Sequence, residues 1–322
     1  MRELLRHIEA EQPRVNALLG RQTDTLDLYV RPVVAHVLKA GGKRLRPLLV
    51  LLTARALGRD SDDLYPMACA LEFLHSATLL HDDVLDQAQT RRGIAAAHIL
   101  FGVTKTILAG DALLALGNKL MADYGEPRLT ACISEAILRT AVGEVAEIAN
   151  VGNLDLTQAQ YLEIVTGKTA WLIQAACRCG AIAAKAEDRL EQAASDFGLN
   201  LGVAFQLVDD ALDYAGDSRA TGKPIAADLV EGKVTLPLLC WLDTLDDAAR
   251  HAFRRDFACE ERDPERLLHV VKLVQASGCH HKALKVAAGY LDTARSALAL
   301  FPQSEERTLL EQALEYVLNR EK

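Results

Sequence analysis

The reading of this chain turns on residues 67–86, MACALEFLHSATLLHDDVLD, an apolar run that closes on three carboxylates. Asp82, Asp83 and Asp86 stand at i, i+1 and i+4, so on an α-helix Asp82 and Asp86 share one face with Cβ atoms about 6 Å apart. Like charges so placed repel, and an unpaired carboxylate among Leu, Ala and Phe is costly; the spacing therefore predicts a cation beside them. The pattern returns 127 residues later in residues 197–213, FGLNLGVAFQLVDDALD, as Asp209, Asp210 and Asp213. A single triplet fits a helix end or a solvated face equally well. Two copies, each ending an apolar helix, point to a polyphosphate held between two acidic helices through Mg²⁺, a cation that keeps several waters and shares its other positions with phosphates.

Composition agrees with an all-helical chain. In 322 residues there are 9 prolines and 20 glycines, aromatics make up 5%, and 50% of residues are hydrophobic, with Leu and Ala dominant. That mixture favours helix over sheet and supports a large core, in one large domain or two ordinary ones. A net charge of −8 argues against a nucleic-acid binder while leaving room for a local basic cluster. Seven cysteines, Cys69, Cys132, Cys177, Cys179, Cys240, Cys259 and Cys279, are an odd number spread along the chain, which reads as reduced, cytoplasmic usage. The charged, amphipathic N-terminus is unlike a signal peptide, and no run reaches the roughly 18 apolar residues that would span a bilayer.

Outward from the acidic helix, the first 38 residues read as two helices, with Pro32 near the start of the second. Residues 40–47, AGGKRLRP, form a tight turn in which Lys43, Arg44 and Arg46 precede a helix over 48–57 opened by Pro47. This is either a solvated basic turn or an anion site. His75 lies seven residues before Asp82 and hence on nearly the same face; a core histidine and a phosphate neighbour are the two readings. Arg91 and Arg92 follow in a loop over 87–93, two guanidinium groups suited to phosphate. Helices are expected over 101–120, interrupted at Ala109-Gly110-Asp111, and over 129–150, bearing Glu144 and Glu147. Thr157 is an N-cap candidate for a helix carrying Tyr161, Lys168 and Thr169. The Thr-Gly-Lys-Thr around Lys168 lacks the first glycine of a nucleotide loop and sits in a helical context. A long charged loop over 214–236 holds Lys223 and Lys233 directly after the second acidic site, and loops of that length are usually functional. Further helices are expected over 238–249, 264–277, 280–300 and 305–318.

These blocks, GGKRLRP, HDDVLDxxxxRRG, GKTA, FQLVDDxLD and GKx₄Dx₂EGKxTLP, occur in the order that marks the all-trans polyprenyl diphosphate synthases, and the chain resembles that family from residue 41 to 237. The resemblance implies a single-domain isoprenoid-synthase helical bundle over residues 1–322 around a deep central cavity, working as a homodimer. It implies Mg²⁺ and an allylic diphosphate at Asp82 and Asp86 with Asp83 beside them, and Asp209, less directly Asp210 and Asp213, as the second contributors. Lys168, Lys223, Lys233 and Arg91 match the cations on the allylic diphosphate. Lys43, Arg46, His75 and Arg92 match the isopentenyl diphosphate pocket, while Thr169 and Gln206 match residues beside the reacting carbons. Residues 95–98, AAAH, and 101–104, FGVT, depart from the usual family pattern in positions that support the two arginines.

In that family the residues four and five before the first aspartate form the floor under the allylic tail. Here these are Thr78 and Ala77. Ala77 is too small to stop elongation, so growth is expected to continue to a deeper stop formed by Phe73, Leu74 and apolar residues over 138–148. The expected product is longer than C20, with octaprenyl (C40) for a quinone side chain as the leading choice. A short-chain farnesyl or geranylgeranyl diphosphate synthase, a non-catalytic regulatory subunit and a terpene cyclase are the alternatives.

Overall fold

The computed structural model describes residues 2–214, 227–257 and 264–319. Lys223, like Cys259, lies outside the described residues. Helix follows helix: α1 (Arg2–Asp24), α2 (Arg31–Lys39), α3 (Leu45–Ala56) and α4 (Leu64–Leu85) lead into a hairpin, β1 (Thr90–Arg91) and β2 (Ile94–Ala95), before α5 (Ala97–Phe101), α6 (Val103–Asp123) and α7 (Pro127–Ala149). Then come α8 (Gln158–Val165), a π turn (Thr166–Ala170), α9 (Trp171–Ala183) and α10 (Asp188–Asp213). The chain finishes with α11 (Ala227–Glu231), α12 (Leu236–Leu242), α13 (Asp247–Phe257), α14 (Pro264–Ala276), α15 (Cys279–Leu298) and α16 (Glu305–Leu318). The expected all-α class is what is found.

The chain packs into two compact units, one of Met1–Ile137, Leu172–Gly198 and Ala297–Ala313, the other of Leu138–Trp171, Leu199–Ser296 and Leu314–Lys322. In the first unit α4 is central and packs chiefly on α6 and α3. Its residues are buried on every side from Met67 to Leu74, as its near-continuous apolar sequence requires. Gly117 on α6 allows the approach, since a Cβ there would lie 2.8 Å from Leu74 Cδ2. In the second unit a Cβ on Gly143 of α7 would lie 2.7 Å from the Gly167 Cα of the π turn, and one on Gly202 of α10 would lie 2.6 Å from the Ala170 Cα. Backbone therefore meets backbone on both sides of residues 166–170.

Several boundaries differ from expectation for local reasons. Helix α6 runs unbroken through Gly110, whose missing side chain makes room for the His81 ring, and the break falls instead at Gly102, with φ of 83°. The loop after α4 is a hairpin because Arg92 (φ 51°) and Gly93 (φ 80°) supply the two positive-φ positions of a two-residue turn. The helix expected over 238–249 is two helices, parted at residues 243–246, where Asp246 Oδ1 accepts from Ala249 N. Thr157 caps α8 as expected: its Oγ1 accepts from Gln160 N at 3.2 Å while Gln160 Oε1 accepts from Thr157 N at 2.9 Å. The π turn was not legible in the sequence.

Candidate active site

In the first unit a basic cluster forms around α4. The turn before α3 sets Arg44 at φ 49°, and its guanidinium reaches inward to Glu72: Nη1 donates to Glu72 Oε1 at 2.6 Å, Nε to Asn16 Oδ1 at 3.0 Å and Nη2 to Leu38 O at 2.9 Å. Both partners are buried. This pair fastens the Lys43–Arg46 segment to α4 three residues before His75. Glu72 had a sequence signal, being the lone charged residue in the apolar run from Met67 to Leu74, where a carboxylate must find a partner.

Arg46 is half-buried, and its Nε is a buried donor with no hydrogen-bond partner. Burial, together with the Arg92 charge, pushes its pKa down to about 10. The Arg92 guanidinium lies over the turn, where a Cβ on Gly42 would come within 2.5 Å of its Nη1. Burial, then the charges of Arg46, Arg92, Arg91 and Arg44, hold the His75 imidazole well below its usual pKa and hence neutral. Crowded cations and an orphaned donor are what an anion would relieve. Lys43 is exposed beside them.

Along the same helix Asp82 is half-buried and Asp86, at the C-cap, is exposed, so both expected ligands reach solvent. Asp83 is different. It is buried, and its Oδ1 accepts from Arg91 Nε at 2.7 Å and from Arg91 Nη2 as well. Arg91 is thus engaged by a carboxylate of the acidic motif. Residues 95–104 pack under the hairpin and against α2: His36 Nε2 bonds Ala95 O at 2.8 Å, and its ring meets Phe101 edge-on at 5.7 Å.

The second unit carries a cluster of both signs. Lys168 leaves the π turn with Nζ 2.5 Å from Glu147 Oε2 and 3.1 Å from Glu144 Oε2, both on α7. Lys233 Nζ lies 2.6 Å from Glu231 Oε2 and 3.9 Å from the same Glu147 oxygen. Burial opposes the Lys168 charge, yet the attraction of Glu147 and Glu144 raises its pKa above the ordinary value. Thr169 Oγ1 donates to Gln206 Oε1 at 2.8 Å, Gln206 Nε2 donates to Asp210 Oδ1 at 2.7 Å, and Tyr161 OH donates to Asp210 Oδ2. Buried in this chain, with Asp209 and Glu147 nearby, Asp210 is pushed up to about 7. Asp213 is buried too and its Oδ2 accepts from Asp228 N at 3.2 Å, whereas Asp209 is half-buried. The roles of Tyr161, Glu147 and Glu231 were not evident from sequence.

Carboxylate oxygens on successive helical positions suit Mg²⁺ in donor type. Among the described residues no three His, Cys, Asp or Glu side chains converge on one point to cage a metal. That fits a cation completed by water and phosphate oxygens more than an all-protein site. Of the residues expected to set product length, Phe73, Leu74 and Ala77 are fully buried on α4, and Thr78 Oγ1 donates to His75 O at 2.9 Å. Leu138, Val142, Val145 and Ile148 are large apolar residues of the segment expected to contribute to the deeper stop. They fall on one helical stripe of α7, and each is at least half exposed.

Residues 28–274 match the family model described as polyprenyl synthetase. The chain belongs to the polyprenyl synthetase family. This synthase is 35% identical to the octaprenyl diphosphate synthase of Escherichia coli K12 over 297 residues, 92% of this chain and 91% of that one. It is 36% identical to the geranylfarnesyl diphosphate synthase of Aeropyrum pernix, over 89% of this chain and 93% of the relative. Among solved structures, a polyprenyl synthase from Caulobacter crescentus CB15, complexed with calcium and isoprenyl diphosphate, matches with a TM-score of 0.93 and 39% identity, over 99% of this chain and 97% of that one. The synthase is accordingly a trans-prenyltransferase with the all-α isoprenoid synthase fold. Among the described residues no helix is long and apolar enough to cross a membrane.

Proposed function

We propose that the enzyme, acting as one synthase domain over residues 1–322, condenses isopentenyl diphosphate with an allylic diphosphate to build a long all-trans chain, octaprenyl diphosphate, for a quinone side chain. In this reading Lys43, Arg46, His75 and Arg92 take isopentenyl diphosphate. The supporting observation is the orphaned Arg46 Nε beside a neutral imidazole, a donor and a lone pair prepared for a phosphate and its proton. Asp82, Asp86 and Asp209 would hold Mg²⁺, which supplies neutralising charge at the departing pyrophosphate when bound. Asp83, Asp210 and Asp213, engaged by Arg91, Tyr161 with Gln206, and the Asp228 amide, orient those three from behind.

Lys168, Lys233 and Lys223 stabilise charge as the allylic C–O bond ionises. Arg91, anchored on Asp83, adds positive charge at the same diphosphate. Thr169 and Gln206 stand beside the reacting carbons, and the homoallylic double bond attacks the cation. The proton then lost goes to pyrophosphate. The length assignment is carried by the identity of Ala77, a fully buried methyl side chain a little over one turn before Asp82, at a position where bulky aromatics stop elongation in short-chain members of the family. A shorter product has one observation in its favour: a similar relative is a geranylfarnesyl diphosphate synthase.

Two apolar faces, Ile99, Leu100, Val103, Ile107 and Leu108 in the first unit and the α7 stripe in the second, support a homodimer. The free thiols of Cys69, Cys132, Cys177, Cys179, Cys240 and Cys279, six among the described residues, support a cytoplasmic setting. The test is mass spectrometry of the product from isopentenyl and farnesyl diphosphates. A C40 chain is expected from the unmodified enzyme, and Ala77→Phe should shorten it while preserving the first condensation. Recovery of only C15 or C20 material would defeat the long-chain assignment. No consumption of isopentenyl diphosphate would leave a cyclase or a silent subunit.

A further inference from the structure

Glu147 places one carboxylate against two ammonium groups. Its Oε2 is 2.5 Å from Lys168 Nζ and 3.9 Å from Lys233 Nζ, which also pairs with Glu231 Oε2 at 2.6 Å, while Glu144 Oε2 adds a second contact to Lys168 at 3.1 Å. Glu144, Glu147, Lys168 and Lys233 are mostly withdrawn from solvent, with side chains between 13% and 21% exposed. Two lysines so close repel each other, and in such a setting a carboxylate common to both offsets that repulsion more strongly than it would in water. Nothing in the elongation chemistry uses Glu147 directly. A carboxylate next to the cations that receive a diphosphate would even weaken its binding, because the anion must displace Glu147 and then remain beside it.

We infer that Glu147 is a positioning residue that competes with diphosphate for Lys168 and Lys233, holding both ammonium groups when no diphosphate is there and promoting release of pyrophosphate after each condensation. The inference rests on the assignment of these two lysines to the diphosphate. A chain-lengthening enzyme must clear pyrophosphate on every cycle, and an internal anion that reoccupies the lysines lowers the barrier to that step.

The experiment is calorimetric titration of the full-length enzyme with magnesium pyrophosphate. Glu147→Gln keeps the shape and removes the charge, and it should bind pyrophosphate about tenfold more tightly, which corresponds to about 1.4 kcal/mol. Damage to the fold would weaken binding, so a gain in affinity separates positioning from a merely structural role. Glu147→Asp should return to within about twofold of the parent, since the charge is restored. Unchanged or weaker affinity in folded Glu147→Gln overturns the inference. Should that variant not fold, Glu144→Gln, which removes the other carboxylate from Lys168, must tighten binding by itself; unchanged affinity there overturns it equally. Lys168→Ala separates the two levels. If it loses pyrophosphate while Glu147→Gln gains nothing, only the role of Glu147 falls; if it binds pyrophosphate as the parent does, the lysine assignment falls and the inference with it.

Discussion

His75 stands among Arg44, Arg46, Arg91 and Arg92, and the fold keeps its imidazole neutral by burial and by their charge. Its folded value lies below the ordinary 6.5, so the unfolded chain takes up a proton that the native state refuses. The stability from this residue is therefore complete above pH about 6.5 and drains away as the pH falls below it. Thermal melts between pH 7 and pH 5 should show a shallower loss in His75→Asn than in the parent; parallel slopes would contradict a neutral, buried His75. Within this group Glu72 accepts from Arg44 Nη1 at 2.6 Å, and Asp83 accepts from Arg91. Removing either member of the Glu72–Arg44 pair would strand a buried charge, a change that costs about 3–5 kcal/mol in comparable pairs. The basic residues were legible in the sequence because they sit in one short block. Their arrangement was not, since pairing Glu72 with Arg44 depends on a left-handed backbone position that Arg44 adopts without the glycine that usually marks one.

At the scale of elements the decisive feature is residues 166–170, where the ladder widens to a π turn under Lys168 and Thr169. Gly143 and Gly167 let the turn rest directly on α7: a Cβ on Gly143 would fall within 2.5 Å of the Gly167 carbonyl carbon. Gly143→Ala should destabilise the fold by about 1–3 kcal/mol through overpacking and lower turnover further by displacing Lys168. Chemical denaturation and steady-state rates on the same sample would check this, and parental stability would show that the backbone has room to spare. Sequence periodicity located the flanking helices, because apolar spacing survives in them, but a π turn has no composition of its own. Gly-Lys-Thr within it read as ordinary helix. The displaced break at Gly102 has a related cause: Gly110 exists for the His81 ring and leaves the helix intact.

For the whole molecule, the acidic triplets and Leu- and Ala-rich composition were enough to specify an all-α chain, whereas its outward faces were not. Ile99, Leu100, Val103, Ile107 and Leu108 are apolar yet exposed in the first unit. A periodic stripe says that a helix has an apolar side, and only packing says what covers it. Light scattering is expected to give the mass of two chains. Replacing Leu100 and Ile107 by Glu should reduce it to one, while an unaltered mass would remove this face from the interface. The π turn bears on which changes of chain length the synthase tolerates as well. A π turn accommodates one residue more than the α-helical ladder, and each residue turns a helix by about 100°. The turn therefore holds one residue that a regular ladder would not, and a substitution leaves the number of residues unchanged. Deleting one residue would restore a regular ladder and leave α9, with its buried Cys177 and Cys179, close to its present register, while Lys168 and Thr169 would be carried around the helix axis. The directions of the lysine and threonine of the π turn are thus fixed by chain length as much as by identity.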